Sequence, residues 1–131
     1  MQRVGVFLDY ENVHRTGHGL YASAENVYET VVNPLKIAER LVAKRKFPSE
    51  LSYVGVFRGR PVPAFQARAA SANDIQADAW RTDARVVIHR RDLKYDMGSD
   101  GKWSGAREKG IDVALAVNLV ETYCANCTTQ Q

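Results

Sequence analysis

Three short runs of β-branched and aromatic residues, separated by longer helical patterns, constrain the fold of this chain most strongly. The runs are RVGVFLD at 3–9, LSYVGVFR at 51–58 and ARVVIHR at 84–90, and each is typical of a buried strand. The stretches between them, 33–46 and 61–80, repeat apolar residues at helical spacing. Because strands that alternate with helices pair in parallel, the sequence predicts an α/β fold with a parallel sheet flanked by helices.

The two intervening helices are predicted to bury one stripe each. The first has Asn33 as its cap and Pro34 in its first turn. Its apolar stripe consists of Leu35, Ala38, Leu41 and Val42. The stripe of the second helix consists of Phe65, Ala69, Ala72, Ile75 and Ala79.

The segment after the third strand differs in composition from the rest of the chain. Residues 90–110 are rich in Gly and charge, and DMGSDG within them is a strong turn signal. We therefore expect a hairpin excursion over the edge of the sheet. The next helix, 111–123, is apolar on nearly every side, which is typical of a helix buried on most faces.

Size and composition favour one soluble domain spanning residues 1–131. The chain has 131 residues, of which 45% are hydrophobic and 25% charged. No apolar stretch approaches the roughly 20 residues of a membrane span, and the MQR start lacks the layout of a signal peptide, so we expect a cytoplasmic protein without membrane contact. Cys124 and Cys127 have the spacing of a zinc half-site or redox pair, but no second ligand pair accompanies them, and we interpret them as incidental.

Basic side chains are concentrated in two zones. Residues 36–60 carry seven Lys or Arg against two Glu, and residues 81–109 carry eight against five acids. Either these are solvated faces, or they bind the phosphates of a nucleic acid; two such zones beside an acidic turn favour a nucleic acid. The candidate nucleic-acid contacts are Arg58, Arg60, Arg81, Arg90, Arg91 and Lys109.

The acidic turn after the first strand is the candidate catalytic site. Asp9 ends a predicted parallel strand, and Asp112 begins the last helix, so both are expected at the crevice beyond the carboxyl ends of the strands, where strand order reverses. Two convergent carboxylates repel unless a cation joins them, and hard oxygen ligands favour Mg²⁺ or Mn²⁺. Asn12 would orient substrate or water. The structural alternatives remain that Asp9 caps the following turn and that Asp112 favours the helix dipole.

Other polar and aromatic residues near these segments are more typical of structural roles. His14, His18 and His89 are expected to be surface or loop histidines, with His14 next to the acidic turn. Tyr10 and Trp103 could stack on bases, although aromatic residues at such positions more often pack.

Three segments, VGVFLDYENV, YVGVFRGRP and REKGIDVALAVNLVETY, together resemble the NYN branch of the PIN-like nuclease superfamily, also called LabA-like. The resemblance runs in order over most of the chain. It implies a Rossmann-like sheet with an acidic Mg²⁺- or Mn²⁺-binding site that cleaves RNA phosphodiesters. Carried over, Asp9 and Asp112 are the metal-binding acids and Asn12 is their polar partner, so Asp9, Asn12 and Asp112 form the expected catalytic set.

The chain departs from the family pattern in two places. Asn118 stands where family members often have an Asp, and the family's fourth strand, which ends in a Ser- and Asp-rich turn, has no counterpart before Gln131. We therefore expect an incomplete domain, which is either a fragment of a longer domain or a diverged or truncated form. The exposed first strand and the last helix would then either self-associate or be completed by the next segment of a longer domain.

Taken with the resemblance, these features predict a metal-dependent ribonuclease. The alternative is a catalytically weak or inactive module of the same fold that binds RNA or protein. A dinucleotide-binding function is not supported, because no strand is followed by Gly-x-Gly-x-x-Gly.

Overall fold

The computed structural model describes residues 1–14 and 32–128, which form a mixed α/β fold. Its strands are β1 Gln2–Asp9, β2 Ser49–Arg60, β3 Val86–Asp92, β4 Lys94–Met97 and β5 Trp103–Arg107. Its helices are α1 Pro34–Ala43, α2 Ala67–Trp80 and α3 Ile111–Thr128, and residues 10–14 also have helical backbone. His18 and the side chains of Cys124 and Cys127 lie outside the described part of the chain.

The main sheet consists of β1, β2 and β3 in that order, and both pairings are parallel. Val54 at its centre stands opposite Val6 on one side and Val86 on the other. The predicted parallel sheet is therefore confirmed. The expected reversal of strand order is not seen among the described strands, because each one is added beside its predecessor in the chain.

One face of the sheet forms the main hydrophobic core with α1. Ala38 and Val42 of α1 are buried in the same cluster as Val54 and Val56 of the central strand. The predicted start of α1 is confirmed, since Asn33 Oδ1 accepts the N–H of Leu35 at 3.0 Å. The predicted stripe is wrong at one position, because Leu41 is 51% exposed and points away from the sheet.

The predicted buried stripe of α2 is also wrong. Ile75 is 66% exposed and Phe65 lies before the helix begins, whereas the buried residues of α2 are Ala70, Asn73, Ala77 and Trp80. The helix is rotated because Asn73 faces the sheet, where its Nδ2 donates to Gly59 O at 3.2 Å and its Oδ1 accepts from Arg90 Nη1 at 3.1 Å. The same side of the helix also buries Trp80 in the main hydrophobic core.

The opposite face of the sheet is aromatic. The Phe57 and His89 rings stack with centroids 4.4 Å apart, and Phe7 packs against Phe57 and Tyr53. Helix α3 crosses this face and contacts all three strands, and the Tyr53 hydroxyl donates to Asn118 Oδ1 at 3.1 Å. Asn118 is thus a packing residue that ties the helix to the sheet.

Helix α3 is not buried on most faces, contrary to the sequence-based prediction. Ile111 is buried, but Val113, Val117 and Val120 are 65%, 50% and 60% exposed. The sheet covers one side of the helix, and no described element covers the other. In the part of the chain that the structure describes, every helix is too short or too polar to cross a lipid bilayer.

The predicted hairpin is confirmed and forms a separate two-stranded antiparallel sheet from β4 and β5. Its turn is closed by a hydrogen bond from Gly98 N–H to Lys102 O at 2.8 Å, and Gly101 supplies the positive φ of 78° that the turn requires. Tyr95 fastens the hairpin to the segment before α2, since its hydroxyl donates to Gln66 Oε1 at 2.6 Å and accepts the N–H of Val62 at 2.9 Å.

Candidate active site

A cavity of about 870 Å³ lies beyond the carboxyl ends of β1 and β2, between α2 and the hairpin. Asp9 enters it from the end of β1, Arg58 from β2, Glu108 from the segment after β5, and Asp112 from the first turn of α3. Residues that are a hundred positions apart in the chain therefore line one space, as parallel topology predicts.

Asp9 has one carboxylate oxygen that is satisfied and one that is not. Its Oδ2 accepts a hydrogen bond from Asn12 Nδ2 at 3.0 Å. Its Oδ1 is buried and has no hydrogen-bond partner among the described residues. This oxygen does not cap a described backbone amide, so the capping interpretation does not account for it, and a buried oxygen without a partner is costly unless a ligand or water satisfies it.

Asp112 reaches the same cavity from the start of α3. Gly110, with φ of 77°, makes the turn that starts the helix, and its carbonyl accepts the N–H of Ala114 at 3.0 Å. Asp112 is exposed in the first helical turn. That position is favourable to the helix dipole and also open to a ligand in the cavity, so both sequence-based interpretations of Asp112 remain compatible with the structure.

Glu108 is a site residue that sequence reasoning did not assign. Its Oε1 accepts the N–H of Gly59 at 3.3 Å. Burial raises the pKa of Glu108, the negative charges of Asp9 and Glu11 raise it further, and the Gly59 N–H and Arg58 oppose the shift. The sequence signal that could have identified Glu108 is its position two residues before Gly110, within the basic zone of residues 81–109.

Arg58 is a basic residue that lines the cavity near its acidic residues. Its guanidinium lies 4.5 Å from the centroid of the Tyr10 ring and 5.3 Å from that of Trp80, and it donates to Gln76 Oε1 at 2.8 Å. Burial lowers the pKa of Arg58, and electrostatic interactions with Tyr10, Glu11 and Glu108 counteract this. Arg68 and Arg107, which sequence reasoning missed, also line the cavity, so it has acidic and basic walls.

Two further predicted RNA contacts, Arg60 and Arg90, are engaged with one carboxylate. Arg60 donates to both oxygens of Asp74 at 2.8 Å, and Arg90 Nη1 donates to Asp74 Oδ1. Hydrogen bonds from Arg60 and then Arg90 hold the pKa of Asp74 well below its usual range. These guanidiniums therefore connect β2 and β3 to α2, and Asp74 already neutralises part of their charge.

The remaining predicted contacts lie at different places. Arg81 follows the end of α2, at the end of the sheet opposite the cavity, and donates to Ala77 O at 3.2 Å. Arg91 is exposed beside Gly110, and Lys109 is exposed beside Lys94. Of the six predicted RNA contacts, only Arg58 lines the cavity itself.

The aromatic and histidine residues near the site are mostly structural. Tyr10 is 2% exposed, packs on Trp80 at 4.8 Å, and donates its hydroxyl to Val32 O at 2.9 Å. His14 lines the cavity with its ring 5.7 Å from that of Tyr10. The His89 ring stacks on that of Phe57 on the face of the sheet that α3 crosses, and burial lowers the pKa of His89.

The donor set of the cavity is compatible with a hard divalent cation. Among residues 1–14 and 32–128, no three or more His, Cys, Asp or Glu side chains are grouped closely enough to hold a metal ion by themselves. Mg²⁺, however, commonly uses one or two carboxylates and completes its shell with water and substrate phosphate. The buried, unpartnered oxygen of Asp9 fits that role, with Asp112 as a second carboxylate in the same cavity.

Comparison with known proteins gives no match for this chain among protein-family models, curated proteins or solved structures.

Proposed function

We propose that this protein is a metal-dependent ribonuclease with a PIN-like fold of the NYN type, and that the cavity is its active site. The observation that carries the proposal is Asp9 Oδ1, a buried carboxylate oxygen without a partner in the described structure, placed at the end of a parallel strand. Such an oxygen is costly unless a ligand or water satisfies it, and a hard divalent cation is a ligand that carboxylate oxygens bind well.

Each of these residues of the cavity has a distinct proposed role in phosphodiester hydrolysis. Asp9 and Asp112 hold Mg²⁺ or Mn²⁺, and the hydrogen bond from Asn12 fixes the orientation of the Asp9 carboxylate. When bound, the cation supplies Lewis-acid chemistry, which neutralises phosphate charge and makes water more acidic. Arg58, whose guanidinium lies over the Tyr10 and Trp80 rings, would bind the substrate phosphate.

Glu108 has the properties of a proton-transfer group in such a site. Burial raises the pKa of Glu108 towards the pH of the reaction, which favours a carboxyl group that accepts a proton in one step and donates it in another. The Gly59 N–H fixes one of its oxygens. Its second oxygen is the one that would exchange a proton with water or with the leaving oxygen. Asp9, Asn12, Glu108 and Asp112 are thus the proposed catalytic group.

The composition of the cavity also favours a second candidate function. No group of three metal-binding side chains is found within the described ranges, and a module with basic walls that binds RNA without cleaving it would need none. Binding by Arg and Lys persists in a chelator, whereas cleavage that depends on a divalent cation stops, so chelation separates the two candidates.

The test uses a labelled single-stranded RNA with Mn²⁺ or with EDTA. We expect cleavage in Mn²⁺ only, and loss of cleavage in Asp9→Asn and Asp112→Asn, which remove charge but little volume. Glu50→Gln, an exposed acid at the opposite end of the sheet, is the matched control and should cleave normally. Cleavage by both Asp variants at the wild-type rate would refute the assigned roles, and RNA binding without any cleavage would favour the second candidate.

A further inference from the structure

The β4–β5 hairpin carries a group of like charges beside the cavity. Lys94 of β4 stands directly opposite Arg107 of β5 in the antiparallel register. Lys109 lies two residues beyond Arg107, and its positive charge lowers the pKa of Lys94. Like charges that face each other across a hairpin destabilise it, so this arrangement costs folding free energy.

Nearby acid compensates these charges only in part. Arg107 Nη2 lies 3.5 Å from Asp96 Oδ1, and both side chains are more than half exposed, which makes the ion pair weak. Lys109 and then Arg107 lower the pKa of Lys94, and Asp96 opposes the shift. Of these three cations, only Arg107 has a salt bridge to an acid within residues 1–14 and 32–128, and an anion placed among them would relieve their repulsion.

The other face of the hairpin carries an aromatic group. The Tyr95 ring lies 4.6 Å from that of Phe65 and 5.3 Å from that of Trp103. Phe65 is 41% exposed and Trp103 is 37% exposed, although both are large apolar side chains. The two hydrogen bonds of the Tyr95 hydroxyl fix the central ring, so the group is a preorganised surface.

Both faces adjoin the mouth of the cavity. Arg107, on the cationic face, and Ala106, paired with Tyr95 on the aromatic face, line the cavity together with Gln66. Because the cationic group and the aromatic group lie on opposite faces of the hairpin, a ligand that leaves the cavity must pass around the edge of β5 to contact both. A single nucleic acid strand presents alternating negative phosphates and flat bases. Proteins that bind single strands combine a basic groove with aromatic side chains on which the bases stack.

We propose that the β4–β5 hairpin is a second RNA subsite, in which Lys94, Arg107 and Lys109 bind backbone phosphates and Trp103 with Phe65 stacks on bases of a single strand leaving the cavity. The proposal rests on the proposed function for the identity of the ligand. It does not depend on catalysis, because phosphate binding and base stacking need no cation.

The test measures binding of a fluorescein-labelled oligouridylate in EDTA at several salt concentrations. We expect the double variant Lys94→Gln/Lys109→Gln to bind more weakly, with a log–log salt slope flatter by about 1.4, since each phosphate contact on a single strand contributes about 0.7. The matched control is Lys44→Gln/Lys46→Gln, which removes the same charge at the opposite end of the sheet and should leave the slope unchanged. Trp103→Ala should weaken binding at least about 5-fold through lost stacking. Thermal melts confirm that each variant is folded.

The outcomes separate this inference from the proposed function. Equal salt slopes for the two double variants, or equal competition by duplex RNA, would overturn the hairpin subsite while leaving the cavity's activity intact. RNA binding that depends on the hairpin without cleavage would support the subsite and contradict the ribonuclease proposal. If the wild-type protein does not bind RNA in EDTA, the subsite is refuted whether or not the hairpin binds another kind of partner.

Discussion

Gly59 is the position at which a single added methyl group should disturb the candidate site most. It lies in β2, its N–H donates to Glu108, and its carbonyl accepts from Asn73. A Cβ at this position would lie 3.0 Å from Glu108 Cγ and would overlap Leu93 Cδ2. The φ of Gly59 is not positive, so an alanine there suffers steric crowding and no backbone strain.

The loss of unfolding free energy in Gly59→Ala depends on which side chains must move to make room for the new methyl group. Overpacking a well-packed site costs about 1–3 kcal/mol. Leu93 and Glu108 are only partly buried and can turn towards solvent, so we expect the lower half of that range, about 1–2 kcal/mol. For a chain of this size that corresponds to a fall in Tm of about 3–10 °C. Displacement of Glu108 should also reduce RNA cleavage beyond what the loss of stability explains.

Urea unfolding of a double-mutant cycle measures this crowding directly. Leu93→Ala removes Cγ and Cδ2, the two Leu93 atoms that the new methyl would meet, so Gly59→Ala should cost at least about 1 kcal/mol less in that background. Gly5→Ala is the control, because a Cβ on that strand glycine meets its nearest atom at an ordinary 3.5 Å. An equal cost of Gly59→Ala in both backgrounds would refute the close approach of β2 to Leu93.

Two further predictions concern the ion-pair network and α3. Asp74→Asn should lower the urea midpoint of unfolding at neutral pH. Because Arg60 and Arg90 depress the pKa of Asp74, its carboxylate stabilises the fold above its unfolded pKa of about 3.9, and the difference from wild type should shrink as the pH falls below that value. A pH-independent difference would contradict the ion pairing. The exposed valines of α3 and the edge of β1 should support self-association, so Val117→Lys should shift sedimentation towards monomer, whereas an unchanged distribution would remove this surface from the interface.

Local patterns predicted the elements of the fold well. The β-branched runs around Val6, Val54 and Val87 specify strands, Asn33 specifies a helix start, and the Gly-rich turn specifies the hairpin, because each signal is contained within a few neighbouring residues. The parallel order follows from the alternation of these elements. It also places Asp9 and Asp112 in one cavity, although nothing local connects them.

What the sequence did not predict depends on partners that are distant in the chain. The rotation of α2 is set by polar contacts of Asn73 with β2 and β3, and a helix rich in alanine carries little apolar periodicity to compete with them. The exposure of α3 could not be foreseen, because apolar composition does not reveal whether a covering element exists. Sequence reasoning missed Glu108 because its role depends on a hydrogen bond with Gly59, which is 49 residues away in the chain.

Paramagnetic broadening of amide NMR signals by Mn²⁺ tests whether a divalent cation binds in the cavity at Asp9. We expect substoichiometric Mn²⁺ to broaden the amides of residues 9–12 and 108–112 first and to leave those around Glu50 sharp, with this selectivity lost in Asp9→Asn. Broadening that begins elsewhere, or that is unchanged in Asp9→Asn, would show that the cation does not bind at Asp9.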